Sequence, residues 1–127
     1  MSVVTDVILT CSIMEDVADD DIPKIPAIDF VNNYLRADNR GELNYLNGNE
    51  GGTKYWQVNV YGGAFNWLSH DDFVRVLVAA PWRLPECVTL LIKGEEDETM
   101  REFRITERSG YNAIIKLLAT ELQGEIS

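Results

Sequence analysis

Histidine is nearly missing from this chain: its 127 residues include one, His70. Cysteine is scarce as well, with only Cys11 and Cys87 and no Cys-x-x-Cys spacing. These shortages exclude the Cys/His quartets of structural zinc sites and the paired thiols of a redox motif. Basic residues are in deficit, 11 Lys and Arg against 21 Asp and Glu, for a formal net charge of −10. Nucleic acid and membrane are disfavoured as partners, because phosphate backbones and anionic headgroups reward Lys and Arg. No apolar run approaches the roughly 18 residues of a spanning helix. The chain has no G-x-S-x-G elbow and no Walker-type loop with Lys-Ser or Lys-Thr behind it. No stretch of acids places a Gly sixth and a Glu twelfth, as an EF-hand needs. No metal and no cofactor is expected.

What the chain does have is acid in bunches. Nine acidic residues fall in two short runs, Glu15, Asp16, Asp19, Asp20 and Asp21, then Glu95, Glu96, Asp97 and Glu98. Such runs hydrate strongly and set the sign of the surface field, so both read as solvated loops that steer a partner electrostatically. The length is that of one globular domain over residues 1–127, large enough to bury a core without a metal or disulfide staple. Cys11 and Cys87 both lie inside apolar runs and read as buried free thiols on central strands, in a reducing compartment. Residues 1–14 carry no basic region, and Asp6 interrupts their apolar stretch, so they read as a strand rather than a signal segment. A cytoplasmic protein is expected.

Periodicity divides the rest. Val3 to Met14 alternates with little polarity on either face, which suits a central strand covered on both sides. Pro26 opens a helix to Ala37, with Ile28, Val31 and Leu35 as its buried stripe. A weak strand at Leu43–Leu46 and a firmer one at Lys54–Tyr61 flank a glycine-rich loop, and Gly62-Gly63 reads as the break after them. Ser69 caps a helix that runs to Ala80, with Asp72 three residues on. Glu86–Lys93 is a second apolar strand. Met100–Thr106, rich in charge, fits an edge strand. Tyr111–Gln123 reads as a last helix. The order β-α-β-β-α-β-β-α places the chain in the α+β class with a mainly antiparallel sheet. It suits an extended ferredoxin-like, split βαβ sandwich.

Two function classes follow. The first is a binding protein that occupies a basic protein partner, as immunity or inhibitor proteins of this size and acidity do. The segment 61–68 is aromatic yet glycine-rich, and Tyr and Trp anchor interfaces. Tyr55, Gln57, Asn59, Tyr61, Phe65 and Trp67 are therefore the candidate partner-binding residues, with Asp16, Asp19, Asp20, Asp21, Glu95, Glu96, Asp97 and Glu98 steering. The second class is a small-ligand-binding or carboxylate-dependent enzyme domain, built on a pair such as Asp6 and Asp29 brought together by folding. His70 does not help that case. Ser69, His70 and Asp71 point in different directions on a helix turn and form no relay, so His70 reads as exposed beside a cap. The sequence names no oligomeric state.

Overall fold

A computed structural model describes residues 3–18, 21–48 and 51–105. The elements are β1 (Val4–Ser12), α1 (Pro26–Ala37), β2 (Asn44–Tyr45), β3 (Val58–Asn66), α2 (His70–Ala79), β4 (Thr89–Gly94) and β5 (Arg101–Arg104). They make an α+β fold with one five-stranded antiparallel sheet in the order β2-β3-β1-β4-β5. The expected last helix, Tyr111–Gln123, lies outside the described residues. Among those described, no helix is long and apolar enough to cross a membrane.

Both helices pack on one face of the sheet. Val7, Leu9 and Cys11 of β1 alternate inward and meet Val31 and Leu35 of α1 and Phe73 and Leu77 of α2 in one apolar cluster. Leu90, Ile92 and Phe103 extend it across β4 and β5. Strand β1 was expected to be covered on both sides. On its other face Ile8, Thr10 and Ser12 are only half-buried and Asp6 is exposed. α1 keeps its expected bounds, Pro26–Ala37, and Asn39 takes a left-handed φ of 56° just past its end. α2 is capped as expected, Ser69 Oγ accepting from the Asp72 N–H at 3.3 Å.

Strand β3 departs most from expectation. It begins at Val58, not Lys54, and runs straight through Gly62-Gly63 to Asn66. Pairing explains both shifts. β1 offers nine partners, from Ser12 opposite Val58 to Val4 opposite Asn66, and the ladder outweighs the local glycine signal. The glycines are there for space. A Cβ on Gly63 would sit 2.7 Å from the buried Phe65 ring, and one on Gly62 would press on the Val7 carbonyl oxygen at 3.1 Å. The register also sets the faces. Tyr61 lies opposite Leu9 and Asn59 opposite Cys11, so both point to the helix side.

Two further expectations are corrected. Cys11 is a buried thiol on a central strand, but Cys87 is exposed, in a 3₁₀ turn at Pro85–Cys87 that precedes β4. Pro85 starts that turn and delays the strand to Thr89. Glu15 belongs to no solvated loop. It ends a 3₁₀ turn at Ile13–Glu15 and is 1% exposed. Its two carboxylate oxygens accept the backbone N–H groups of Arg83 and Leu84, each at 2.8 Å. Arg83 Nη1 also donates to the Met14 carbonyl, so the two turns are tied together.

Candidate functional site

The six candidate contact residues separate into two sets. Tyr55, Gln57 and Trp67 are exposed, whereas Asn59, Tyr61 and Phe65 are buried. Tyr61 and Phe65 belong to the core cluster, and Tyr61 packs on Tyr45 with ring centroids 5.5 Å apart. Burial holds the Tyr61 hydroxyl well above its ordinary pKa. Phe65 is withdrawn from any contact surface, whereas Asn59 and Tyr61, though buried, each reach the wall of a surface hollow. The segment 61–68 is mostly the second half of β3: Tyr61, Phe65 and Leu68 turn into the core, and Ala64, Asn66 and Trp67 are exposed.

The exposed aromatics lie far apart. Tyr55 and Trp56 precede Val58, which pairs with Ser12; Trp67 follows Asn66, which pairs with Val4. The eight steps along β3 between them span about 26 Å. The two acidic runs divide in the same way. Asp16 and Asp21 follow the end of β1 near Tyr55, and Glu95 to Glu98 follow β4, whose Gly94 lies opposite Thr5 at the other end. Asp19 and Asp20 lie outside the described residues.

At the first end Asp16 is half-buried. Its Oδ1 accepts from the Ala18 and Lys24 N–H groups at 3.0 and 2.9 Å, and the Val17 N–H reaches the Lys24 carbonyl at 2.8 Å. This closes the acidic loop back on itself and holds its base. Asp21 and Ile22 stay exposed. A hollow of about 310 Å³ opens here, and Ile13, Asp21, Tyr45, Tyr55, Trp56 and Asn59 are among its lining residues. Tyr55 is 84% exposed and Trp56 44%. Next to it, sharing Tyr45, is a wider cleft of about 580 Å³ between α1 and the β2 edge. Its charges are already matched: Lys24 pairs with Asp29 at 2.8 Å and Arg36 with Glu42. The buried Asn32 joins α1 to the chain entering β2, its Oδ1 accepting from Leu43 N–H at 2.8 Å.

The other end is organised by His70, which is half-buried rather than exposed beside its cap. An arginine only donates, so the contact from Arg101 Nη2 makes His70 Nδ1 the acceptor. The proton then sits on Nε2, 3.0 Å from the Thr5 hydroxyl. Burial first, and Arg101 second, lower the His70 pKa from its ordinary 6.5, while Asp97 and Asp71 oppose the shift. Asp97 itself accepts from the Gly94 N–H at 2.9 Å and closes the acidic turn; Glu95, Glu96 and Glu98 remain exposed.

No family model, no curated protein and no solved structure matches this chain. The site has therefore to be judged on its own chemistry.

Trp67 carries a signal that the sequence does not display. It is 61% exposed and holds a left-handed φ of 58°. Bulky residues avoid that region. The conformation is pinned from both sides, by the Trp67 N–H on the Val3 carbonyl at 2.9 Å and by Arg40 Nη2 on the Trp67 carbonyl at 2.8 Å. An apolar ring is thus held in water on a strained backbone. Asp6 and Asp29, the carboxylate pair weighed above, do not meet: Asp6 is on the sheet face away from the helices and Asp29 is on α1. Among the described residues no three His, Cys, Asp or Glu side chains gather as a metal would require.

Proposed function

We propose that this chain is an acidic binding protein that occupies a basic protein partner, in the manner of an immunity or inhibitor protein, within the cytoplasm. One observation carries the reading: at one end of β3 exposed aromatic side chains share a hollow with an acid, and at the other the exposed Trp67 adjoins in sequence residues that line an acidic cleft. Tyr55 and Trp56 share a hollow with Asp21. Trp67 precedes Leu68 and His70, which line a cleft with Glu95 and Glu96. Aromatic anchors slow release from an interface, and a net charge of −10 speeds the approach of a cationic partner. The free thiols of Cys11 and Cys87 are in keeping with a reducing compartment. As to fold, we read the chain as an extended ferredoxin-like sandwich. The order β2-β3-β1-β4, with β5 added beside β4 and both helices on one face, supports that reading.

The test is capture from native lysate of the source cells on the immobilised chain, followed by kinetics on the purified partner. A basic protein whose association rate falls steeply with salt is expected. A partner with no basic surplus and no salt dependence refutes the reading. So does a turnover activity that depends on named carboxylates.

A further inference from the structure

The geometry points to the hollow at Tyr55, Trp56 and Asp21 as a receptor for an arginine side chain presented by the partner. This rests on the reading of the chain as a binder of basic proteins, and it names the chemistry of one contact.

Three features choose this place over the others. The wide cleft beside α1 has its cations in place, Lys24 on Asp29 and Arg36 on Glu42. The cleft at His70 already contains Arg101, which is engaged with the imidazole. Among the described residues that line it, the hollow at Tyr55 has one carboxylate, Asp21, three aromatic rings and no basic residue. Lys54 adjoins Tyr55 in sequence but does not line it.

The chemistry fits a guanidinium better than an ammonium or a neutral ligand. Arginine is planar, weakly hydrated and stacks on Trp and Tyr faces, while its fork of N–H donors matches a carboxylate. A hollow of about 310 Å³ lies at the bottom of the range for small-molecule sites. It suits one long side chain rather than a drug-sized ligand. The Asp16 bonds tie Ala18 and Lys24, on either side of Asp21, to one carboxylate and so hold the chain that carries Asp21 beside the hollow.

The experiment uses the full chain, labelled with ¹⁵N, and the peptide acetyl-Arg₄-amide. The indole N–H of Trp56 is the reporter, with those of Trp67 and Trp82 as internal references. A saturable shift at Trp56 is expected, together with its absence when every arginine is replaced by the uncharged citrulline. Tyr55→Ala should weaken binding about fivefold, from the loss of one cation–π contact, while Tyr55→Phe keeps it. Asp21→Asn should weaken it comparably. Both positions are exposed, so these variants keep the fold, and the unchanged spectrum elsewhere verifies it. Glu95→Gln with Glu96→Gln should leave the affinity within twofold, because that end is about 26 Å away, beyond the Debye length of roughly 8 Å.

An equal response to citrulline overturns the assignment. So does an equal loss in the Glu95/Glu96 variant, or a Trp56 shift driven by protein concentration alone, which would place a second copy in the hollow. If the peptide binds only at Glu95–Glu98, the arginine site is lost but the basic-partner reading stands. If the captured partner proves acidic, the reading fails whatever the peptide does.

Discussion

Removing the Glu15 carboxylate should damage this fold more than removing any exposed acid. Glu15 is 1% exposed and accepts two backbone N–H groups at 2.8 Å. Hydrogen bonds to charged groups contribute about 1.5–3 kcal/mol each, so two set an upper bound near 6 kcal/mol. Alanine also leaves a small void, which adds to the loss. Two effects offset this. A buried carboxylate has a desolvation penalty that alanine escapes, and the Arg83 N–H lies near solvent and regains water. A net loss of about 3 kcal/mol for Glu15→Ala follows, and about half that for Glu15→Gln, which keeps one acceptor. For a domain of this length that corresponds to about 10 °C in melting temperature. Urea denaturation of both variants, with Glu96→Gln as the exposed control, measures it. If Glu15→Ala melts within about 2 °C of the parent, the carboxylate is not holding the Arg83–Leu84 turn and the argument is wrong.

Three other outcomes are expected. Thiol labelling of the native protein should proceed in two phases, fast at Cys87 and slow at Cys11, whose thiol is buried and pushed up to about 12; a single phase for both would contradict the exposed 3₁₀ turn. Stability should be flat between about pH 7 and 8 and fall as pH drops through 6.5 towards the lower folded pKa, because the unfolded chain then takes up the proton that folded His70 resists. With one histidine in the chain, His70→Gln should flatten the profile between pH 5 and about 7, and a profile unchanged by that substitution would remove His70 as the source. At Trp67 glycine should be more stable than alanine by about 0.5–1 kcal/mol, reversing the usual order, since only alanine retains the left-handed penalty of about 1–2 kcal/mol. Paired melts of Trp67→Gly and Trp67→Ala test this, and the ordinary order would mean that the backbone there is relaxed.

Features encoded within a few residues were legible from the chain. Pro26 and the apolar stripe fixed α1, Ser69 with Asp72 fixed the start of α2, and unbroken alternation marked β1. The charges of β5 placed it at the edge of the described sheet. What escaped depends on partners distant in sequence. Gly62-Gly63 reads locally as a break, but nine facing residues of β1 hold the strand through it. Tyr55 and Trp56 alternate like a strand yet have no described partner in the ladder. Glu15 looks like one more acid in a hydrated run, and only the approach of Arg83 and Leu84, 68 and 69 residues away, gives it a reason to be buried. The candidate site was half legible for the same reason. Aromatic content singled out residues 55–67, while the register decided which rings turned inward.

The separation of the two acidic ends along β3 has a consequence for how this molecule meets others. A protein charged at one end carries a dipole and turns in the field of its partner, so encounters are aligned before contact. Among the described residues exposed acids stand at both ends, Asp21 at one and Glu95, Glu96 and Glu98 at the other. A cation approaching such a surface would be drawn to either end, and the choice would fall to short-range contact. Neutralising one pole leaves the field at the other intact, since about 26 Å is some three screening lengths at physiological salt. At that separation a charge change at one end is largely screened from the other.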